Sequence, residues 1–220
     1  KDSFLMNKLL QINKKSIKKV SKIKKDINKT IADLNLCKQK EIDFLPINIK
    51  TFKKKDVSFI KLFFNSILSK VFHEETKQKR HIFWLEVINF ISVYKIGSIL
   101  ALSDNVNLLK DREDFYIYKK NILKQNNQRR FKFQKSYFST LGNIDLIESN
   151  ENNSFASDEY IINREIFNEG IFIRYWRSGD KVSFNYGTKK VSDLFIDKKI
   201  PIIKKKLYPI VEDSNRDIIW

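Results

Sequence analysis

Apolar residues recur at three- and four-residue steps through Leu5, Leu9, Ile12, Val20, Ile23, Ile27, Ile31 and Leu34, with Ser16 filling one gap. That spacing predicts one long helix over 3–34, with Ser3 as its candidate N-cap. Lys8, Lys14, Lys15, Lys18, Lys22, Lys25 and Lys29 fall mostly off the stripe. They read first as the solvated face of a packed helix and second as an RNA-contacting face. Glu41 to Ile49 reads as an extended stretch broken at Pro46. Asp56 then caps a second apolar-periodic segment through Phe59, Ile60, Phe63, Phe64, Ile67, Leu68 and Val71. A third helix is expected from near Lys77 to Tyr94, where Ile82, Phe83, Leu85, Val87, Ile88 and Ile91 nearly encircle the axis. Such all-round apolarity predicts burial.

After Gly97 the period changes. Short apolar runs at 99–102, 106–109 and 115–118 are split by Asp104-Asn105 and by Asp111 to Asp114, the signature of a small β meander. Phe131, Phe133, Tyr137 and Phe138 read as strand residues between a polar Lys124–Arg130 run and the loop-like Asn150–Ser154. These elements predict an α+β fold, a small helical domain with appended short strands followed by a small α/β C-terminal domain. The expected divisions are a connector helix at 1–36, the helical domain at 37–120, a connecting segment with strands at 121–168, and the C-terminal domain at 169–220.

The last fifty residues carry the candidate chemistry. Alternation through Ile171, Ile173 and Tyr175 puts Arg174 on the opposite strand face, where we expect it to meet a polyanion together with Arg177 and Lys181. Gly179 fits a turn that needs positive φ, and Asp180 can accept backbone N–H bonds to hold it. Lys189 and Lys190 lead the basic amphipathic segment 189–199, which ends in Lys198 and Lys199. Val191, Leu194 and Phe195 within it have helical spacing. Cations at a helix N-terminus oppose the dipole by roughly 0.3–1 kcal/mol each, a cost that a bound phosphate would explain. After a break at Pro201, Lys204, Lys205 and Lys206 would extend the same surface, and Pro209 opens a closing strand. Tyr175, Trp176, Phe184 and Tyr186 offer rings that could stack on bases, although most fit a core as well.

Charge sharpens this picture through its placement. Of the net +17, residues 1–40 hold 12 Lys against 3 acids and residues 171–220 hold 11 basic residues against 6. Residues 141–170 carry 7 acids against Arg164. Basic ends around a near-neutral centre suit a polyanion. The composition, rich in Lys, Ile, Asn and Phe, is also what an A+T-rich genome yields without selection for binding. With 42% hydrophobic residues the chain can build a packed core. A single Cys37 rules out an internal disulfide and suits a reducing cytosol. No apolar run approaches the ~18 residues of a membrane span, so a cytoplasmic protein is expected. The five glycines stand singly, without a phosphate-cradling loop. One Cys and two His, His73 and His81, give no metal set. The adjacent acids Glu74-Glu75, Glu113-Asp114 and Asp158-Glu159 read as solvated loop residues, so no catalytic residue is assigned.

In order and spacing, R-x-x-x-x-G-D at Arg174 to Asp180, K-K-V-S-D-L-F-I at Lys189 to Ile196, I-P at Ile200-Pro201 and Y-P-I-V at Tyr208 to Val211 resemble the C-terminal domain of the tRNA(Ile)-lysidine synthetases. The terminal Ile218-Ile219-Trp220 fits too, and Lys79 to Tyr118 looks like the family's helical substrate-binding domain. Ser178 stands where the family favours Pro, and Lys181 and Lys205 where Arg is commoner. Lys keeps the charge there and loses bidentate geometry. The resemblance implies an ATP-dependent carbon–nitrogen ligase that joins lysine to the wobble cytidine, position 34, of the isoleucine tRNA with a CAU anticodon. ATP and Mg2+ would bind a catalytic domain carrying an S-G-G-x-D-S loop that this sequence lacks. With no initiator Met at Lys1 and an apolar last run, we expect a fragment. It would hold the tRNA, be inactive alone, and leave a homodimer open. Charge alone supports two other readings, a stand-alone basic RNA-binding module and a basic scaffold without a ligand.

Overall fold

The computed structural model describes residues 2–33, 42–53, 55–75, 79–124, 130–145, 162 and 164–219. Cys37, the 150–154 loop, Asp158-Glu159 and the expected start of the third helix near Lys77 lie outside these residues. The chain divides into two compact units, Lys1–Lys119 and Lys120–Trp220. Helices and antiparallel strands make an α+β protein, as the periodicities predict.

In the first unit, α1 (Asp2–Asp33) includes Ser3 within the helix instead of at its cap. Only its C-terminal third packs: Ile27 is buried and Ile23 and Ile31 lean on the core, while Ile12, Ile17 and Val20 are exposed. The apolar stripe is real in sequence, but Ile12 and Val20 on it are left exposed. Helix α2 (Val57–Lys70) starts where expected, because the Asp56 carboxylate accepts the Phe59 N–H at 2.8 Å. That backbone bond, opposed by burial and helped by Lys19 at 3.2 Å, holds the Asp56 carboxyl below its ordinary value. Helix α3 (His81–Val93) buries Trp84, Val87, Phe90 and Ile91 against α2 and the sheet.

That sheet is antiparallel, with strands β1 (Phe44–Asn48), β2 (Ile99–Ala101), β3 (Val106–Lys110) and β4 (Asp114–Lys119) in the order β1-β4-β3-β2. Pro46, expected to break its segment, sits inside β1 opposite Tyr116. The strand survives because it is an edge, where a missing N–H need not interrupt a ladder. A 3-10 turn, Ile49–Phe52, drops Phe52 into an aromatic cluster, 5.0 Å from the Phe63 ring and 5.2 Å from Phe115. Buried Lys110 donates to the Ile91 carbonyl at 2.7 Å, satisfying one of the orphan acceptors in the last turn of α3.

The second unit opens with the short α4 (Asn121–Lys124) and is built on a three-stranded antiparallel sheet ordered β11-β8-β5. Its strands are β5 (Phe131–Lys132), β8 (Phe172–Tyr175) and β11 (Pro209–Glu212). Two hairpins accompany it, β6 (Ser136–Ser139) with β7 (Gly142–Asp145), and β9 (Lys181–Phe184) with β10 (Gly187–Lys190). Helices α5 (Arg164–Glu169), α6 (Val191–Asp197) and α7 (Ile202–Lys206) complete it. Since β5 pairs with β8, part of the stretch read as a connecting segment belongs to the C-terminal sheet. Pro209 stands at the first position of an edge strand, a place a missing N–H tolerates, and Pro201 precedes α7, where no helical N–H is required.

Candidate nucleic-acid interface

The C-terminal unit is organised by a buried charge network. Arg174 sits on β8, the central strand, with only 7% of its surface exposed. Its Nη1 and Nη2 donate to the Asp180 carboxylate at 2.8 and 3.0 Å, and its Nε donates to Glu212 Oε2 at 2.6 Å. The other Glu212 oxygen accepts from Arg130 Nε, also at 2.6 Å, and Arg130 reaches the Asp213 carbonyl as well. The Arg130 guanidinium lies 3.5 Å from the Phe172 ring centroid, a cation–π contact. Two arginines and two carboxylates thus neutralise one another. Burial pushes the Arg174 guanidinium towards losing its proton, but the hydrogen bonds of Asp180 and Glu212 outweigh it and the net shift is upward.

This corrects the expectation that Arg174 faces RNA. Arg174 does lie on the strand face that alternation predicts, but that face is covered, and the guanidinium spends its hydrogen bonds on Asp180, Glu212 and the Tyr175 carbonyl. Arg174 holds the turn instead. Asp180 accepts the Arg177 N–H at 2.8 Å and donates its own N–H to the Arg177 carbonyl at 3.2 Å. Gly179 in between adopts φ +97°. A Cβ there would meet nothing within 4 Å, so the need for glycine is conformational, not steric. The Asp180 carbonyl then accepts the Val191 N–H at 3.0 Å, tying the turn to the start of α6. Ser178, Gly179 and Asp180 therefore aim the β9–β10 hairpin.

On that hairpin Lys181 and Lys190 are directly opposed across the ladder. Both are exposed, and neither forms an ion pair with a described residue. Like charges facing each other across strands are destabilising, and an anion between them would ease that repulsion. Lys189 and Lys190 close strand β10, and Lys190 is the residue before α6, which holds the helically spaced Val191, Leu194 and Phe195 as expected. Lys189 is already engaged: its Nζ bonds Asp197 at 2.5 Å, and that bond raises its pKa above the ordinary lysine value. Arg177, Lys198 and Lys199 are exposed, and Lys199 takes a left-handed φ of 52°.

The Lys204–Lys206 run lies in α7, so successive side chains fan out by about 100° each and do not line up in one row. Lys204 and Lys206 are exposed, whereas Lys205 is half-buried. Of the four rings considered for stacking, Trp176 joins Val191, Phe195 and Ile210 in the core and Tyr175 is half-buried. Phe184 and Tyr186 are exposed and stack on each other.

Sequence reasoning missed Arg130 and Glu212. Arg130 closed a polar run and Glu212 sat in an ordinary V-E-D. Their partners lie 82 and 38 residues away, and no local spacing announces such pairs. Glu74, read as a solvated loop acid, instead accepts from Ser103 and Asn105 at 3.0 and 3.1 Å. His73 and His81 are both exposed, and His81 opens α3. Among the described residues no group of three His, Cys, Asp or Glu is placed to hold a metal ion. Nor is any described helix long and apolar enough to cross a membrane.

No family model matches the chain. It is 26% identical over 193 residues to a tRNA(Ile)-lysidine synthase of Clostridioides difficile, a match covering 80% of this chain and 40% of that protein. Shorter stretches are closer: 42% identity over 52 residues to the synthase of Bacillus licheniformis and 44% over 50 residues to that of Bacillus subtilis. Each of these covers 11% of the relative, so the chain spans less than half the length of the curated proteins it matches. The resemblance carried by the C-terminal motifs is thereby extended, and this chain is similar to tRNA(Ile)-lysidine synthases, to one of them over four fifths of its length.

Proposed function

We propose that this chain is the tRNA-holding part of a tRNA(Ile)-lysidine synthetase, acting in the cytoplasm. The whole enzyme would join lysine to the wobble cytidine of the isoleucine tRNA with a CAU anticodon. ATP and Mg2+ are assigned to a part of the enzyme outside these 220 residues. Its own residues bind and orient. The Arg174–Asp180–Glu212–Arg130 network fixes the turn, the turn aims the hairpin, and Lys181 and Lys190 take a phosphate. Arg177, Lys198, Lys199, Lys204 and Lys206 add positive charge around it. The observation that carries this reading is the exposed, directly opposed Lys181–Lys190 pair, on a chain similar to proteins that bear the synthase name.

The test is tRNA affinity of the 220-residue chain as a function of salt. Each phosphate neutralised contributes about −0.9 to the slope of log K against log salt on duplex nucleic acid. A steep slope is expected, and Lys181→Ala with Lys190→Ala should flatten it by roughly 1, the share of the one phosphate they hold. The isoleucine tRNA should bind more tightly than other tRNAs. Equal affinity for unrelated hairpins would return the chain to a stand-alone RNA-binding module, and a flat slope would remove the RNA reading altogether.

A further inference from the structure

The tip of the β9–β10 hairpin carries a feature that phosphate binding does not use. Asn185 and Tyr186 form the two-residue loop between Phe184 and Gly187, which pair across the ladder. The Phe184 and Tyr186 rings lie parallel, 5.1 Å apart at an interplanar angle of 5°. Tyr186 is 84% exposed and Phe184 37% exposed. Opposite Phe184 stands Gly187, with no side chain to cover the ring, and a Cβ at Gly187 would meet nothing within 4 Å. Neither ring belongs to either core cluster of the unit. An exposed parallel pair leaves one flat aromatic face turned to water on a largely polar ribbon.

From this, and resting on the RNA reading above, we infer that Phe184 and Tyr186 are a stacking platform for an unpaired RNA base. Every base has a π-face, so such a platform is sequence-tolerant. The surroundings fit a nucleic-acid strand. By strand alternation Lys181 and Lys190 project from one face of the ribbon and Phe184 from the other. The lysine pair at the base and the ring pair at the tip are three residue steps apart, about 10 Å along the strand. The ribbon is only two strands wide, so a single RNA strand folded over its edge can set a phosphate on the lysines and a base on the rings. Flat stacking by a base is the contact that an exposed parallel ring pair accommodates.

The experiment titrates a tRNA transcript with the 220-residue chain and with variants, between about 50 and 250 mM NaCl. Tyr186→Ala is expected to weaken binding roughly tenfold, within the range for losing one stacked base, while leaving the salt slope unchanged because no phosphate contact is lost. Tyr186→Phe should recover most of that affinity, and Tyr186→Leu, which keeps apolar bulk without a π-face, should not. Lys190→Ala should do the converse and flatten the slope. If the wild-type chain binds without a salt slope, the RNA reading fails and this inference falls with it. If the wild type binds as expected but Tyr186→Ala and Tyr186→Leu match it, the platform alone is overturned. The platform is equally overturned if Tyr186→Leu restores binding, since the ring would then be hairpin padding, or if Tyr186→Ala abolishes self-association at unchanged tRNA affinity.

Discussion

Glu212 is the residue on which the C-terminal unit turns. It is 2% exposed and accepts from two guanidiniums, Arg130 and Arg174, at 2.6 Å each. With Asp180 the four groups sum to zero charge, which is what allows them inside. Removing one partner from a buried ion pair costs about 3–5 kcal/mol, because the charge left behind is desolvated and unpaired. Glu212→Gln keeps the shape and leaves one net positive charge buried. We expect it to lower the unfolding free energy from urea titration by an amount in that range, and Arg174→Ala to do the same from the opposite sign. An unchanged midpoint for Glu212→Gln would mean that water already solvates the two arginines. The strand was legible from Ile171, Ile173 and Tyr175, and the turn from Gly179 and Asp180. The environment of Arg174 was not. Arg174 pairs across the ladder with Ile210, so Glu212 is its diagonal neighbour, within reach of a long side chain. That neighbour is set by the register of a strand 38 residues on, which periodicity within β8 does not contain.

At the scale of elements, α3 separates hydrophobicity from burial. Its sequence is apolar nearly all round, which predicts a helix enclosed on every side. The structure encloses only one side: Trp84, Val87, Phe90 and Ile91 pack on α2 and the sheet, while Ile82 is 71% and Val93 72% exposed. A hydrophobic pattern reports what a helix can bury, and the number of neighbouring elements decides what it does bury. The helix itself and the meander after it were readable because their periods differ, 3.6 against 2. The uncovered face was not, because apolar residues encircling a helix carry no direction. Substitution separates the two faces. Phe90→Ala should cost about 3–5 kcal/mol through lost burial and the cavity it leaves. Val93→Ser, on the open side, should stay within about 0.5 kcal/mol. Urea titrations of both variants check this, and a large loss at Val93 would mean that the exposed face is covered in solution.

Over the whole molecule, 43 basic residues face 26 acids, so 17 positive charges stay uncompensated however the ion pairs are arranged. Self-repulsion of that size destabilises a compact state. At about 0.01 M salt the screening length is ~30 Å, comparable to a small domain, and near 0.15 M it falls to ~8 Å. The same salt weakens exposed ion pairs such as Lys19–Asp56 and Lys189–Asp197, but exposed pairs contribute only about 0–1 kcal/mol each. The excess charge should therefore win, and the thermal midpoint should rise as NaCl is raised from about 10 to 150 mM. For a chain of this length each kcal/mol of relief corresponds to about 2–4 °C. Chloride is the salt to use, because sulfate also strengthens apolar burial by exclusion from the surface. A midpoint that falls would show that the ion pairs outweigh the repulsion. A rise has a functional counterpart. A polyanion placed against the same charges relieves the same repulsion, so tRNA added at low salt should stabilise the chain. That stabilisation should shrink as salt takes over the neutralisation, and melts in the two ligand states across the same salt series measure both effects on one scale.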